Sequence, residues 1–147
     1  MDPKAIEHGA AVDGRPTIVV AEDEPAIRLM LVSKLAAAGW HVVATTNGEE
    51  ALLAVRRSKP RLVLTDFQMP QLDGIAMARK LQEDPVTRDT PVMLLSARGH
   101  RLTSSDLADT RIEHVLMKPF STREVVALVA AYRDDAEGEA SEGRDAA

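Results

Sequence analysis

No cysteine occurs in this chain. That excludes disulfides, thiolate zinc sites and iron–sulfur clusters, and it suits a reducing cytoplasm. No apolar segment follows Met1-Asp2-Pro3-Lys4, and no run approaches the roughly 18 residues of a membrane span. The sequence therefore reads as soluble, unexported and cytoplasmic, with no membrane insertion. His8, His41, His100 and His114 lie 33, 59 and 14 residues apart, so no helical metal pair exists and none stands out as a phosphohistidine. A basic excess is missing too. The net charge of −5 belongs almost wholly to residues 134–147, where Asp134, Asp135, Glu137, Glu139, Glu142 and Asp145 face only Arg144. Between residues 16 and 133 the balance is 15 basic to 14 acidic groups. That is neither a nucleic-acid footprint nor an acidic core, so direct nucleic-acid binding is not expected. Internal repeats and a second domain are also lacking.

What remains fits one domain of 147 residues with 45% hydrophobic content, enough to bury a core. We assign residues 1–15 to a flexible N-terminal segment, 16–133 to the domain and 134–147 to an acidic tail of disorder-prone composition. Four apolar runs of β character, Thr17 to Ala21, Leu62 to Thr65, Val92 to Leu95 and His114 to Met117, stop at Glu22-Asp23, Asp66, Ser96 and Lys118. A further strand is expected from Trp40 to Thr45, with Trp40 covering the sheet edge.

Helical segments lie between the strands. Pro25 suits the first turn of a helix over residues 24–38, and Gly39 ends it. Asn47 with Glu50, and Ser121 with Glu124, have capping-box spacing. A helix opens near Asp73-Gly74 and runs to about Glu83. On the first helix Ile27, Leu31, Leu35 and Ala38 form the core face, while Leu29, Val32 and Ala36 form a second apolar stripe, a candidate partner surface. Met69 and Met77 read as packing residues. From Gly99 to Arg111 apolar residues are sparse and Thr103, Ser104 and Ser105 favour a cap, so a short or mobile fourth helix is expected.

Alternating strands and helices build a parallel sheet by right-handed crossovers, and all its strands end at one edge. Three carboxylates, a hydroxyl and an amine converge there, where open α/β sheets place their ligands. Clustered acids repel by several kcal/mol per close pair at an effective dielectric near ~20. A hard divalent cation such as Mg²⁺ neutralises them and welcomes phosphate oxygens. Asp23 and Glu24 taken alone read as helix-capping acids; the whole constellation does not. Ser96 and Lys118 are donors suited to a phosphoryl group in transfer, and Asp66, the lone central acid, is the candidate nucleophile for an acyl phosphate.

Residues 18 to about 133 resemble a receiver domain of two-component response regulators. The resemblance rests on Glu22-Asp23, Asp66-Phe67-Gln68-Met69-Pro70-Gln71-Leu72-Asp73-Gly74, Leu95-Ser96-Ala97 and Lys118-Pro119-Phe120. It implies a flavodoxin-like (βα)5 fold, a doubly wound parallel five-stranded sheet of order 2-1-3-4-5. It also implies a phosphoacceptor Asp66, served by a sensor histidine kinase or a histidine phosphotransfer protein. Glu22, Asp23, Asp66 and the main-chain carbonyl of Gln68 would hold Mg²⁺, or Mn²⁺ in its place. Ser96 would bond the phosphoryl group, Lys118 would pair with it, and a cis bond would join Lys118 to Pro119. Such a protein is not an enzyme in the ordinary sense but assists its own phosphorylation. Gln68 and Arg98 would tune the phosphoryl lifetime.

Two departures bear on output. Val115 stands where the family usually has an aromatic, and Arg111-Ile112 where it tends to have Gly-Ala. The readout is then expected to use the loop from Ala97 to Leu102. With no output domain expected after Arg133, signalling would run through protein contacts to an unidentified target. The rival readings are a receiver-like adaptor that takes no phosphate and a Mg-dependent aspartyl-phosphate phosphohydrolase. The second is disfavoured because Gln68 stands where such enzymes usually carry a second acid.

Overall fold

The computed structural model describes residues 11–97 and 102–133. The expectations for residues 1–10, Arg98 and the tail 134–147 lie outside the described residues. Five parallel strands carry the domain: β2 (Arg15–Ala21), β3 (His41–Thr45), β4 (Leu62–Asp66), β5 (Val92–Ser96) and β6 (Ile112–Met117). Their spatial order is β3-β2-β4-β5-β6, which is 2-1-3-4-5 when the parallel strands alone are counted. The expected flavodoxin-like topology is therefore present.

Alternation along the strands explains why they read as continuous apolar runs. Ile18 and Val20 face one side and Val19 and Ala21 the other, and both sides are covered. On the first side α1 (Pro25–Ala37) and α5 (Thr122–Arg133) bury Leu31, Leu35, Val125 and Val129. On the second, α2 (Gly48–Ser58) and α3 (Gly74–Glu83) bury Ala51, Val55, Met77, Ala78 and Leu81. Met77 is thus a packing residue, as its sequence context implied.

Several boundaries differ from expectation, β2 among them, since it starts at Arg15 rather than Thr17. Ala11–Val12 forms a short strand, β1, antiparallel to Arg15-Pro16, so ordered structure starts before residue 16. Its turn is Asp13-Gly14, both at positive φ (53° and 77°), the backbone a two-residue hairpin of this hand requires. Trp40 does not cover the sheet edge: it is fully buried in the core beside α1 and α5, and its amide bonds back to Leu35 O at 3.1 Å. The helix-closing turn at Gly39 (φ 102°) carries the indole inward, and the strand starts at His41. β6 begins at Ile112, two residues earlier than its apolar run suggested.

Helix starts follow the side-chain chemistry. Asn47 Oδ1 accepts from Glu50 N (2.8 Å), Asp73 Oδ1 from Ala76 N (2.8 Å) and Ser121 Oγ from Glu124 N (3.0 Å). Glu50 does not close the box on Asn47. Its carboxylate takes the amide and hydroxyl of Thr46 instead, at 2.8 and 2.9 Å. The fourth helix, α4 (Ser104–Leu107), is one turn long and buries no residue. Thr103 and Asp106 give it a complete capping box, and Arg79 of α3 donates to the carbonyls of Ser105 (3.1 Å) and Asp106 (2.8 Å).

Gly74 shows how tightly the loop after β4 is packed. A Cβ there would lie 2.5 Å from the Asp66 carbonyl oxygen and 2.9 Å from Leu94 Cδ1. Gly74→Ala should therefore destabilise the fold by about 1–3 kcal/mol, the usual range for overpacking. Urea unfolding measures it, and a wild-type midpoint would show that this loop relaxes freely.

Candidate functional site

Except for Gln68, each expected site residue stands where a parallel strand ends. β2 delivers Glu22 and Asp23, β4 ends on Asp66, β5 ends on Ser96, and Lys118 follows β6. Backbone bonds hold these ends in step: Glu22 N to Thr45 O (3.1 Å), Phe67 N to Leu95 O (2.8 Å) and Lys118 N to Ser96 O (2.7 Å). Beyond Lys118 the bond to Pro119 is cis, as the resemblance implied.

The side chains converge. Carboxylate oxygens of Glu22, Asp23 and Asp66 all lie within 4.8 Å of one another. Lys118 Nζ is 2.7 Å from Asp66 Oδ1 and 3.8 Å from Glu22 Oε1. Glu22 is only 1% exposed and Asp66 is buried, while Asp23 is exposed. One oxygen of Glu22 is used locally, since Oε2 accepts from Glu24 N at 3.1 Å. The other, Oε1, is buried without a hydrogen-bond partner.

Electrostatics follow from this geometry. Burial, and then the Asp66 charge, push the Glu22 carboxyl up to about 7. Burial also raises Asp66, against the hydrogen bond and charge of Lys118. For Lys118, burial alone would lower the ammonium, but its bond to Asp66 and the charge of Glu22 raise it above the usual range. Among the described residues, Lys118 is the cation in contact with these acids, one positive charge against three carboxylates.

Ser96 is fully buried on the strand next to Asp66, and its Oγ has no hydrogen-bond partner among the described residues. An orphaned hydroxyl and an orphaned carboxylate oxygen in one crevice are unusual, because buried polar atoms are nearly always paired. Gln68 lies in the exposed loop two residues past Asp66. These oxygens suit a hard divalent cation, and the Ser96 and Lys118 donors suit an anionic oxygen group.

One residue at this site is absent from the expected set. Arg28 of α1 donates to the main-chain carbonyls of both Glu22 (2.9 Å) and Asp23 (3.4 Å). Its only signal in the sequence is a spacing of one and a half helical turns from the acids, which many surface arginines share.

The comparisons with known proteins agree with this arrangement. Residues 18–130 match the family model described as the response regulator receiver domain. The phosphate regulon transcriptional regulatory protein PhoB of Pseudomonas aeruginosa is 34% identical over 115 residues, covering 78% of this chain and 50% of that protein. The probable transcriptional regulator ycf27 of Pyropia yezoensis is 36% identical over 115 residues, covering 76% of this chain and 45% of that protein. The chain thus spans about half the length of these curated relatives. Among solved structures, the receiver domain of the Francisella response regulator 1452 superposes with a TM-score of 0.73 at 27% identity, covering 83% of this chain and 99% of that one. With its strand-end acids, lysine and hydroxyl in place, the chain belongs to the response regulator receiver domain family.

Proposed function

We propose that this protein is a phosphoacceptor that takes a phosphoryl group on Asp66 from a phosphohistidine of a sensor kinase or phosphotransfer protein. The observation that supports it best is the buried Asp66 carboxylate, bonded to Lys118 and bordered by two further acids. In this reading Glu22, Asp23, Asp66 and the Gln68 carbonyl hold Mg²⁺, or Mn²⁺ in its place. When bound, the ion supplies positive charge for the acids and the incoming phosphate oxygens.

Asp66 presents a carboxylate oxygen to phosphorus and the phosphohistidine imidazole leaves. Lys118, already within 4 Å of two acids, exchanges one carboxylate contact for a phosphoryl oxygen. Ser96 Oγ, without a partner before transfer, gains one. Carriage of the group, rather than turnover of a substrate, is the activity we propose.

Output follows from what is loosely held. Val115 is half-buried on β6 and has no ring to turn inward. α4 buries nothing and rests on its capping box and Arg79. New contacts at Ser96, the end of β5, are placed to shift the segment that follows it. The downstream target is then a protein that reads this face.

Acetyl phosphate with Mg²⁺ should give a single adduct by intact mass in the wild type and none in Asp66→Asn. Excess chelator or Asp23→Ala should abolish it as well. Labelling of Asp66→Asn at the wild-type level would move the acceptor elsewhere; no adduct on the wild type would favour the adaptor reading, and release of phosphate from free esters the hydrolase.

A pH signature accompanies the site. An acid raised from its ordinary value of 4.5 to about 7 leaves the folded state holding more protons than the unfolded chain. Stability from this group is highest below the unfolded value and falls as pH rises toward 7, by on the order of a few kcal/mol. Without divalent ions the thermal midpoint should drop between about pH 5 and about pH 7.5, and Mg²⁺ should raise it mainly at the higher pH, where it no longer competes with the Glu22 proton. A flat profile that Mg²⁺ leaves unchanged would contradict the proposed pairing of acids and ion.

Phosphorylation should alter hydrogen exchange in residues 102–111 more than in β6. Changes confined to α1 would mean that the signal leaves by another face.

A further inference from the structure

The acid pair is held from two sides. In front, the carboxylates of Glu22 and Asp23 meet Asp66 and Lys118. Along the main chain, a single guanidinium nitrogen, Arg28 Nη1, donates to the carbonyl oxygens of the same two residues at 2.9 and 3.4 Å. Arg28 is itself fixed, since its amide donates to Glu24 O at 2.9 Å in the first turn of α1. It also borders the loop after β3. Glu50, held below its ordinary range chiefly by its bonds from Thr46, feels the Arg28 charge as well, and Thr45 O receives the amide of Glu22.

We propose that Arg28 is a positioning residue for the cation site: it sets the affinity for Mg²⁺ by pinning the two peptides that carry Glu22 and Asp23, without touching the ion. The inference rests on the reading above, that these acids and Asp66 hold the cation.

The physical case begins with repulsion. Three carboxylates within 4.8 Å push one another apart, and Asp23, exposed and attached to a loop, is the one free to swing into solvent. A hydrogen bond from a charged donor is roughly twice as strong as a neutral one. Two of them onto adjacent carbonyls resist that swing where it starts, in the backbone. The planar guanidinium supports both bonds in one fixed geometry, which a lysine ammonium on a flexible stem does not reproduce. Its bonds go to main-chain carbonyls rather than to carboxylates, so it occupies none of the side-chain oxygens a cation needs. Removing the partners that orient metal ligands typically lowers affinity by about 10- to 100-fold.

The rival reading is that Arg28 only ties down a loop and contributes to stability. Mg²⁺ titration followed by the amide resonances of residues 66–68 separates the two, with the thermal midpoint in chelator as an independent measure. Arg28→Ala should raise the dissociation constant for Mg²⁺ by about 10-fold with a small change in midpoint, and Arg28→Lys should recover only part of the affinity. A lowered midpoint with wild-type affinity would overturn the inference and leave Arg28 a structural residue. Should Arg28→Ala fail to fold, Arg28→Gln, which keeps a donor but loses the charge, decides in the same way. Wild-type protein that binds no Mg²⁺ would sink the cation reading itself and this inference with it, whereas binding lost in Asp23→Ala but unchanged in Arg28→Ala would sink the inference alone.

Discussion

The contact between Lys118 and Asp66 is the one on which the site depends. Two acids buried side by side, Glu22 and Asp66, repel each other in the crevice, and among the described residues Lys118 is the cation that reaches both. Its position is set by the sheet rather than by its own flexible stem, because its amide bonds to Ser96 O at the end of β5. The register of β5 with β6 and of β4 with β5 therefore places both the ammonium and the carboxylate. Nothing in this pair balances the remaining negative charge of Glu22 and Asp23. The proposed hard cation would relieve part of that charge imbalance.

The two sides of the sheet are tightly filled, which gives the strand ends a rigid base. Side chains from α1 and α5 pack one face and those from α2 and α3 the other. The exception is α4, which contributes no buried side chain. Its polar ties include the Thr103–Asp106 box, two bonds from Arg79 and one from Thr110 Oγ1 to Leu107 O. Polar ties exchange with water at modest cost, whereas buried apolar ones do not. A site on a well-packed edge therefore lies next to a turn that buries no side chain, the arrangement on which the proposed output rests. On α1, by contrast, the second apolar stripe does reach the surface, with Leu29 71% exposed.

Much of this was legible beforehand, for definite reasons. Strands buried on both faces are uninterrupted apolar runs, so their ends are visible as the first polar residue, and those residues are the site. Caps act over three residues, so Asn47, Asp73 and Ser121 could be read from neighbours in the chain, and Thr103 to Ser105 marked the start of α4. The cis bond before Pro119 was implied only by resemblance at Lys118-Pro119-Phe120. Where reasoning from local pattern failed, the outcome depended on atoms far away in sequence or on a choice between equal partners. Trp40 is buried because the turn at Gly39 delivers it between α1 and α5, not onto an edge. Glu50 bonds to Thr46 rather than to Asn47, although both lie within its reach in sequence. Asp13-Gly14 made a hairpin of residues assigned to a flexible segment.

By itself the sequence determined the order of strands and helices, the apolar faces and the identity of the groups gathered at one sheet edge, since periodicity and capping are local properties of the chain. Only the tertiary structure decided how those groups meet. It placed Lys118 against Asp66 and near Glu22, left Glu22 Oε1 and Ser96 Oγ without hydrogen-bond partners among the described residues, and turned Arg28 onto the main chain of the acid loop. Such facts depend on the sheet register and on the side-chain directions it imposes across tens of residues, which no window of the sequence contains.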